Sequence, residues 1–525
     1  MKVAIDVVPI RNTGEMGGAL LLVLELIKGL ALFNKSDKYY LLTAEWNHQF
    51  FEQFEKFGVE RICVHNTSLK VEKNGNLLLK KILKKLFKIF NIKIKKKSKS
   101  ILRTNSIDIL FCPMSAISLA EPGIPTLSLI YDLQHEYYPQ FFSDEEIHHR
   151  KKFYNGICDL ADYVVCISEF TKNTLIEKLN YPENKSKVIY ISIQDRLNNI
   201  DSTEQDRILD KFNLSKKIYA YYPANFWLHK NHRMLLVAMS IFLNKHPEID
   251  FHLCLTGSLL GQENSFNEII NQMNLQGKVH HFGYLSELEV SALMAGANFL
   301  VFPSLFEGFG IPVAEAMSNG IPVMCSNNTS LPEVGGDAAQ YFDPRKPEEI
   351  AEIMYMLITD NILRQKLITK GTEQVKKFNS ETMVKHYHDT LHEVAKKQSV
   401  KGNLLKGVYG DNWTEPEVLI SVGEDSRNRV INIEMHLPPV SPHKQAQVYV
   451  TIDNKKKKHT LINGQVQVIK EILPSTSCDI CIEIENTFRP KDIGIMDKRE
   501  LGIQMIKIEI KDNITGETIR TFHKA

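Results

Sequence analysis

The stretch FPSLFEGFGIPVAE (302–315) carries two glutamates, Glu307 and Glu315, with seven residues between them that include a Gly-Phe-Gly turn and a proline. Two carboxylates so placed could serve as a general acid and base, as two metal ligands, or as acceptors gripping one polar ligand. The flanking residues give them a setting. NFLVFPS reads as the end of a strand and IPVAEAMSNG has a helix's composition, with Pro312 near its first turn and Gly320 just past its end. Gly308, Phe309 and Gly310 therefore fall at a helix N-terminus, where free backbone N–H groups and the helix dipole favour phosphate or another electron-rich ligand. Glycine there allows close backbone approach. Glu307 then stands at the mouth of a cleft and Glu315 one turn into the helix, so the two carboxylates address different parts of one extended ligand. A diphosphate also needs a cation. YYPANFWLHKNHRMLL (221–236) offers Lys230, between a strand ending near Pro223 and a following helix, while His229, His232 and Arg233 read as solvated residues at the helix start.

These residues need elements to hold them. From 1 to about 195, strand-like runs (KVAIDVV, IDILFCP, PTLSLIYD, ADYVVCIS) alternate with helical patterns such as 19–30, the order expected of a parallel sheet wrapped by helices. A polar segment, roughly 195–217, interrupts the alternation. It restarts with KIYAYYPA, DFHLCLTG, KVHHFGY, NFLVFPS and GIPVMCS. The expected fold class is α/β, with two Rossmann-like doubly wound domains, 1–197 and 198–397, facing a cleft that binds ligand at the C-terminal ends of their strands. The last helix of this part, about 380–397, is expected to pack back on the first domain. Beyond it, VINIEM, QVYVTID, CDICIEIE and IKIEI alternate apolar and polar residues without long helical stretches, so 405–525 reads as an antiparallel β-sandwich.

Composition bounds the rest. The 525 residues are 43% hydrophobic and 24% charged, with a formal net charge of +2 that argues against a general nucleic-acid binder. MKVAIDVVPI resembles a first strand more than a secretory leader, and no apolar run reaches the length of a membrane span, so a cytoplasmic protein is expected. Cys478 and Cys481 have no second pair to complete a zinc site, and the eight cysteines read as reduced thiols. One segment is strongly biased: 77–99 holds ten lysines and no acid. Leu79, Ile82, Leu83, Leu86 and Phe90 share one helical face, and Lys80, Lys81, Lys84, Lys85 and Lys88 the other. Such a helix suits an anionic bilayer surface, where each nearby lysine contributes about 1 kcal/mol; the alternative is a surface helix packed on its own domain.

Taken in order, GEMGG after the first strand, YDLQHEYYPQFF, ADYVVCISEFTKN, HKNH, KVHHFGYLSE, FPSLFEGFGIPVAEAMSNGIPV and NTSLPEVGGDAAQYFDP resemble the family 4 retaining glycosyltransferases of the GT-B fold over most of 1–395. The resemblance implies a role for each matching position. Glu315 would accept hydrogen bonds from the ribose hydroxyls of a sugar nucleotide, and Glu307 would lie against the donor sugar, with Gly308, Phe309 and Gly310 supplying backbone contacts. Lys230 would neutralise the diphosphate leaving group, Gly17 and Gly18 would close over it from the first domain, and Tyr284 would lie near the nucleobase. Two positions depart from the pattern. Asn225 stands where an arginine is usual, and Tyr131, before Asp132, where a histidine is usual. Asn225 retains donors for the diphosphate, and Tyr131 could donate to a sugar hydroxyl.

The resemblance further implies metal-independent, retaining transfer with no cofactor, by front-face attack of the acceptor hydroxyl. The chain contains no Asp-x-Asp, the motif that would hold a divalent ion in the other major transferase fold. A glycosidase would set its two carboxylates across one bond, which the expected placement of Glu307 and Glu315 does not. The expected partners are a sugar nucleotide, with GDP-mannose as first guess, a bacterial surface glycan or lipid-linked acceptor, and an anionic membrane surface through 77–99. A carbohydrate-binding or scaffold protein with a decayed site is the competing reading. In the β-domain, Trp413, Arg489, Asp497 and Arg499 are either sugar contacts or structural turn and salt-bridge residues.

Overall fold

The computed structural model describes residues 1–11, 17–65, 101–121, 123–197, 200–396, 404–408, 412–423, 425–453, 455–476, 478–490 and 499–524. The lysine-rich segment 77–99 and Asp497 lie outside these residues. Among the described residues, no helix is long and apolar enough to cross a membrane.

The first domain is a seven-stranded parallel sheet. Its strands are β1 (Lys2–Asp6), β2 (Lys38–Ala44), β3 (Glu60–His65), β4 (Ile109–Cys112), β5 (Thr126–Ile130), β6 (Tyr163–Cys166) and β7 (Ser186–Val188), in the order β3-β2-β1-β4-β5-β6-β7. The second is a six-stranded parallel sheet of β8 (Ile218–Pro223), β9 (Phe251–Thr256), β10 (Val279–His281), β11 (Phe299–Phe302), β12 (Val323–Ser326) and β13 (Ala339–Phe342), in the order β10-β9-β8-β11-β12-β13. In both sheets the order in which strands are added reverses beside the first strand, which makes the β1/β4 and β8/β11 crevices the switch points where open α/β sheets bind ligands. Central strands such as β5, β6, β11 and β12 are buried at every residue, because helices cover both faces of a parallel sheet and leave no side for polar alternation.

The helix Ser380–Lys396 leaves the second domain and packs on the first. Gly29, in the helix Gly17–Phe33, makes room for it, since a Cβ there would overlap the Val384 side chain. Tyr387 is buried with its ring 5.6 Å from that of Phe111.

The C-terminal domain is a sandwich of antiparallel sheets. One has five strands, in spatial order Leu404–Val408, Thr414–Val422, Cys478–Ile484, Gln445–Ile452 and Lys455–Ile462. The other has four: Val466–Leu473, Arg429–His436, Gln504–Asp512 and Thr518–Lys524. In Arg429–His436 every second residue is buried, the pattern of a strand with one face in the core. Trp413 packs edge-on to Phe488 at 5.5 Å, and Arg489 lies 3.7 Å from Glu500, contacts that suit the structural reading of these two residues.

The end of β1 carries a cost. The Asp6 carboxylate is buried, its Oδ1 accepts from Val8 N–H at 3.0 Å, and its Oδ2 meets no donor among the described residues. Burial pushes its pKa up to about 7. With the native pKa above the unfolded one, the folded chain binds the extra proton. Stability therefore falls as pH rises between about 4 and 7, and levels off above, by a total of about 2–4 kcal/mol. Asp6→Asn removes that loss: the variant's melting temperature should gain on the wild type as pH goes from 5 to 8, and a gap constant with pH would refute the assignment.

Candidate functional site

The two domains enclose a cleft of about 620 Å³ that brings together residues from both switch points. Lys230 follows β8, and the glycine turn follows β11, so the two chain segments leaving the second domain's switch point supply the cation and the carboxylate.

The turn is fixed from several sides. Ser330 Oγ donates to the carbonyls of Glu307 and Phe309 at 3.0 and 2.9 Å, and Glu307 N–H donates to Thr329 Oγ1 at 3.2 Å. Gly310 has φ +110°, a conformation that favours glycine, and the helix Ile311–Ser318 begins at once with Pro312 in its first turn. Gly308 has no room for a side chain, because a Cβ would overlap the carbonyl oxygen of Tyr131 in the first domain. Its own carbonyl accepts from Ser168 Oγ at 2.7 Å, also across the cleft. Phe309 turns its ring into the core against Phe378, so only its backbone is available to a ligand.

Lys230 is held by its backbone: Tyr222 donates its hydroxyl to the Lys230 carbonyl at 2.7 Å, and Leu305 N–H donates to the His229 carbonyl at 2.7 Å. The Lys230 ammonium lies 2.5 Å from Glu307 Oε1. Glu315 is 2% exposed and pairs with Arg196, whose Nε and Nη2 both lie 2.8 Å from Oε1. Burial pushes the Glu315 carboxyl up, and Arg196 opposes the shift. Arg196 also reaches Glu287 at 2.9 Å. The two glutamates thus have separate cations and do not form a carboxylate pair.

Several expectations need correction. His232 is not solvated: it is 6% exposed and stacked on Phe226 at 3.7 Å, and burial pushes its pKa down to about 3. His229 is likewise pushed down to about 3 by burial, with Lys230 adding to the shift. The Tyr131 hydroxyl is not free for a sugar, since it donates to the Pro113 carbonyl at 2.8 Å, and burial raises its pKa. Gly17 and Gly18 form the first turn of a helix rather than a loop, although both line the cleft; a Cβ on Gly18 would overlap Ile311 of the second domain. Asp132 also lines the cleft, with Oδ1 accepting from Gln134 N–H at 3.0 Å. Asn225 faces the same space; its Oδ1 accepts from Ser258 N–H at 2.8 Å, which leaves its amide NH₂ as the donor end. Tyr284 lines the rim and is largely exposed.

Sequence reasoning missed Arg196, because it lies in the polar connector where the strand–helix alternation breaks. The available signal was energetic. A carboxylate inside a helix that packs on a sheet needs a cation, and few are close in sequence.

Comparison with known proteins agrees with this geometry. Residues 16–195 match the family described as Glycosyltransferase Family 4, and residues 204–374 match Glycosyl transferases group 1. O-antigen chain mannosyltransferase B of Escherichia coli is 29% identical over 243 residues, covering 46% of this chain and 64% of the relative. O-antigen chain mannosyltransferase RfbU of Salmonella typhimurium is 26% identical over 220 residues, covering 41% and 56%. The chain thus spans less than two thirds of the length of these curated relatives. Among solved structures, Anabaena HepE in complex with UDP and glucose superimposes with a TM-score of 0.55 at 17% identity, covering 75% of this chain and all of that one. WaaG, a glycosyltransferase involved in lipopolysaccharide biosynthesis, gives 0.53 at 15% identity, covering 74% and 99%. These likenesses identify the fold as GT-B. With one family match on each α/β domain and the glycine turn, Lys230 and both glutamates gathered in the cleft between them, the chain belongs to the family 4 glycosyltransferases.

Proposed function

We propose that this protein is a retaining, metal-independent glycosyltransferase that moves a sugar from a nucleotide-diphosphate sugar to a bacterial surface glycan or lipid-linked oligosaccharide. The observation that carries the reading is the placement of Lys230 beside Glu307 and the N-terminus of Ile311–Ser318, all opening into one interdomain cleft. The diphosphate would take the Lys230 ammonium from Glu307, and the helix N-terminus would add its partial positive charge. As the C1–O bond to the diphosphate breaks, the acceptor oxygen bonds to C1 from the same face, and its proton passes to a leaving phosphate oxygen. No protein nucleophile is required. Glu307, freed from Lys230, accepts hydrogen bonds from the sugar. Glu315 keeps Oε2 for a ribose hydroxyl while Arg196 occupies Oε1. GDP-mannose is the proposed donor, supported by the mannosyltransferases among the relatives.

Lys230→Ala should lower turnover by about 10²–10³-fold, the usual cost of removing one donor that stabilises developing negative charge. Glu307→Gln should also slow transfer, and the wild-type rate should not require added Mg²⁺ or Mn²⁺. Near-normal turnover in both variants would sink the site assignment, and absence of any transfer would favour the scaffold reading. A panel of sugar nucleotides read by thermal shift tests the donor, because a ligand that binds only the folded state raises the melting temperature. GDP-mannose should give the largest rise, and an equal or larger rise with a UDP-sugar would overturn that choice.

We further propose that 77–99 holds the enzyme at an anionic membrane surface beside its acceptor. Replacing Lys80, Lys81, Lys84, Lys85 and Lys88 by glutamine should move the protein from membrane to soluble fractions; unchanged partition would remove the support.

A further inference from the structure

Away from the cleft, Asp37 lies in the turn entering β2, with a side chain only 1% exposed. Two histidines one helical turn apart on Ser380–Lys396 converge on it. Asp37 Oδ2 lies 3.1 Å from His388 Nε2 and 2.7 Å from His392 Nε2. The three ligand atoms lie within 4.8 Å of one another. Four-coordinate Zn²⁺, with bonds of about 2.0–2.1 Å to nitrogen and oxygen, places neighbouring ligand atoms about 3.3 Å apart. The His388 separation of 3.1 Å falls about 0.2 Å short of that edge, and the His392 separation of 2.7 Å about 0.6 Å short, so His392 must draw back slightly to admit the ion. Histidines spaced i, i+4 on one helix face are a natural chelating pair.

The surroundings suit the same role. His388 Nδ1 lies 3.4 Å from Asp389 Oδ1, a contact that orients the ring and leaves Nε2 to face Asp37, as carboxylates do behind zinc-bound histidines. The Phe33 ring, 5.0 Å from His388, covers one side of the cluster. Other groups also reach Asp37: the Met1 ammonium takes Oδ1 at 2.8 Å, and Asn34 Nδ2 lies 3.3 Å from both Oδ2 and His388 Nε2. The ammonium occupies Oδ1, so Oδ2 is shared by the two histidines and Asn34.

We propose that Asp37, His388 and His392 bind one Zn²⁺ ion, with water in the fourth position, and that the ion clamps the returning helix Ser380–Lys396 to the first domain. None of the three residues lines the cleft, so the ion would be structural and separate from the transfer chemistry.

The test uses full-length protein without a polyhistidine tag, stripped with chelator and then titrated with Co²⁺. We expect one Co²⁺ per chain with the intense visible absorption of a four-coordinate site, displaced by one Zn²⁺, and a melting temperature several degrees higher in Zn²⁺ than in chelator. His388→Gln and His392→Gln should lose both effects, whereas His386→Gln, on the same helix, should keep them. Absence of a stoichiometric Co²⁺ spectrum in the wild type would overturn the proposal, as would undiminished binding in the double variant His388→Gln/His392→Gln. Should the histidine variants fail to fold, the wild-type titration decides alone. Chelation should lower the melting temperature without abolishing transfer at low temperature, which keeps this site's failure distinct from failure of the transfer mechanism.

Discussion

The backbone of Gly308 lies so close to the backbone of Tyr131 that no side chain fits between them, and this contact joins the two domains at the point where chemistry is proposed. Ser168 Oγ reaches the Gly308 carbonyl from the first domain, and Glu333 of the second accepts hydrogen bonds from the N–H groups of Glu169 and Phe170 at 2.7 and 3.3 Å. Those N–H groups open the helix Glu169–Leu179, so the carboxylate sits at the positive end of a helix dipole across the cleft. Phe306 adds an apolar seal, with ring centroids 5.7 Å from both Tyr137 and Phe170. The turn that presents Glu307 is therefore set by both domains at once. Domain docking and site geometry are one equilibrium.

Electrostatics follow from that enclosure. A buried carboxylate without a cation is expensive, and removing one partner of such a pair typically costs about 3–5 kcal/mol. Arg196 and Lys230 each satisfy one glutamate, and the two pairs differ in what a ligand must do to them. Lys230 and Glu307 are both partly exposed to the cleft, so a diphosphate and a sugar hydroxyl can replace each partner with another of like chemistry. Glu315 is almost fully enclosed, and the ribose proposed for it would gain its acceptor without displacing Arg196, because both guanidinium contacts fall on Oε1.

Much of this was legible in the sequence because each α/β unit announces itself through buried apolar strands followed by turns. The sandwich did so through strict alternation. The glycine turn and Lys230 were readable because local rules govern them: a helix start, a proline in its first turn, a glycine that must admit another backbone. What escaped depended on distant partners. The Tyr131 hydroxyl is spent on Pro113, eighteen residues back in the chain, and nothing near Tyr131 encodes that. His232 looked like a solvated cap but stacks on Phe226, a contact that requires the loop after β8 to fold over it. β3, β7 and β13 went unread since they are sheet edges, where apolar runs are short or interrupted by polar residues such as those of ERICVH and SKV.

The chain crosses between the α/β domains twice, and the crossings meet. The Phe378 carbonyl, just before the returning helix, accepts from Ser192 Oγ at 2.9 Å and from Gln194 Nε2 at 2.5 Å, both on the outgoing crossing. Beyond this node each crossing is anchored: Arg196 binds Glu315 and Glu287 of the second domain, and the helix Ser380–Lys396 binds the first through Val384, Tyr387 and the Asp37 cluster. Rotation of one domain against the other must then pivot near 192–194 and 378, the short stretch between the anchors. The Phe378 ring packs edge-on against Phe309 at 5.2 Å, so the pivot touches the glycine turn directly. A change in interdomain angle cannot occur without being felt at the backbone that flanks Glu307.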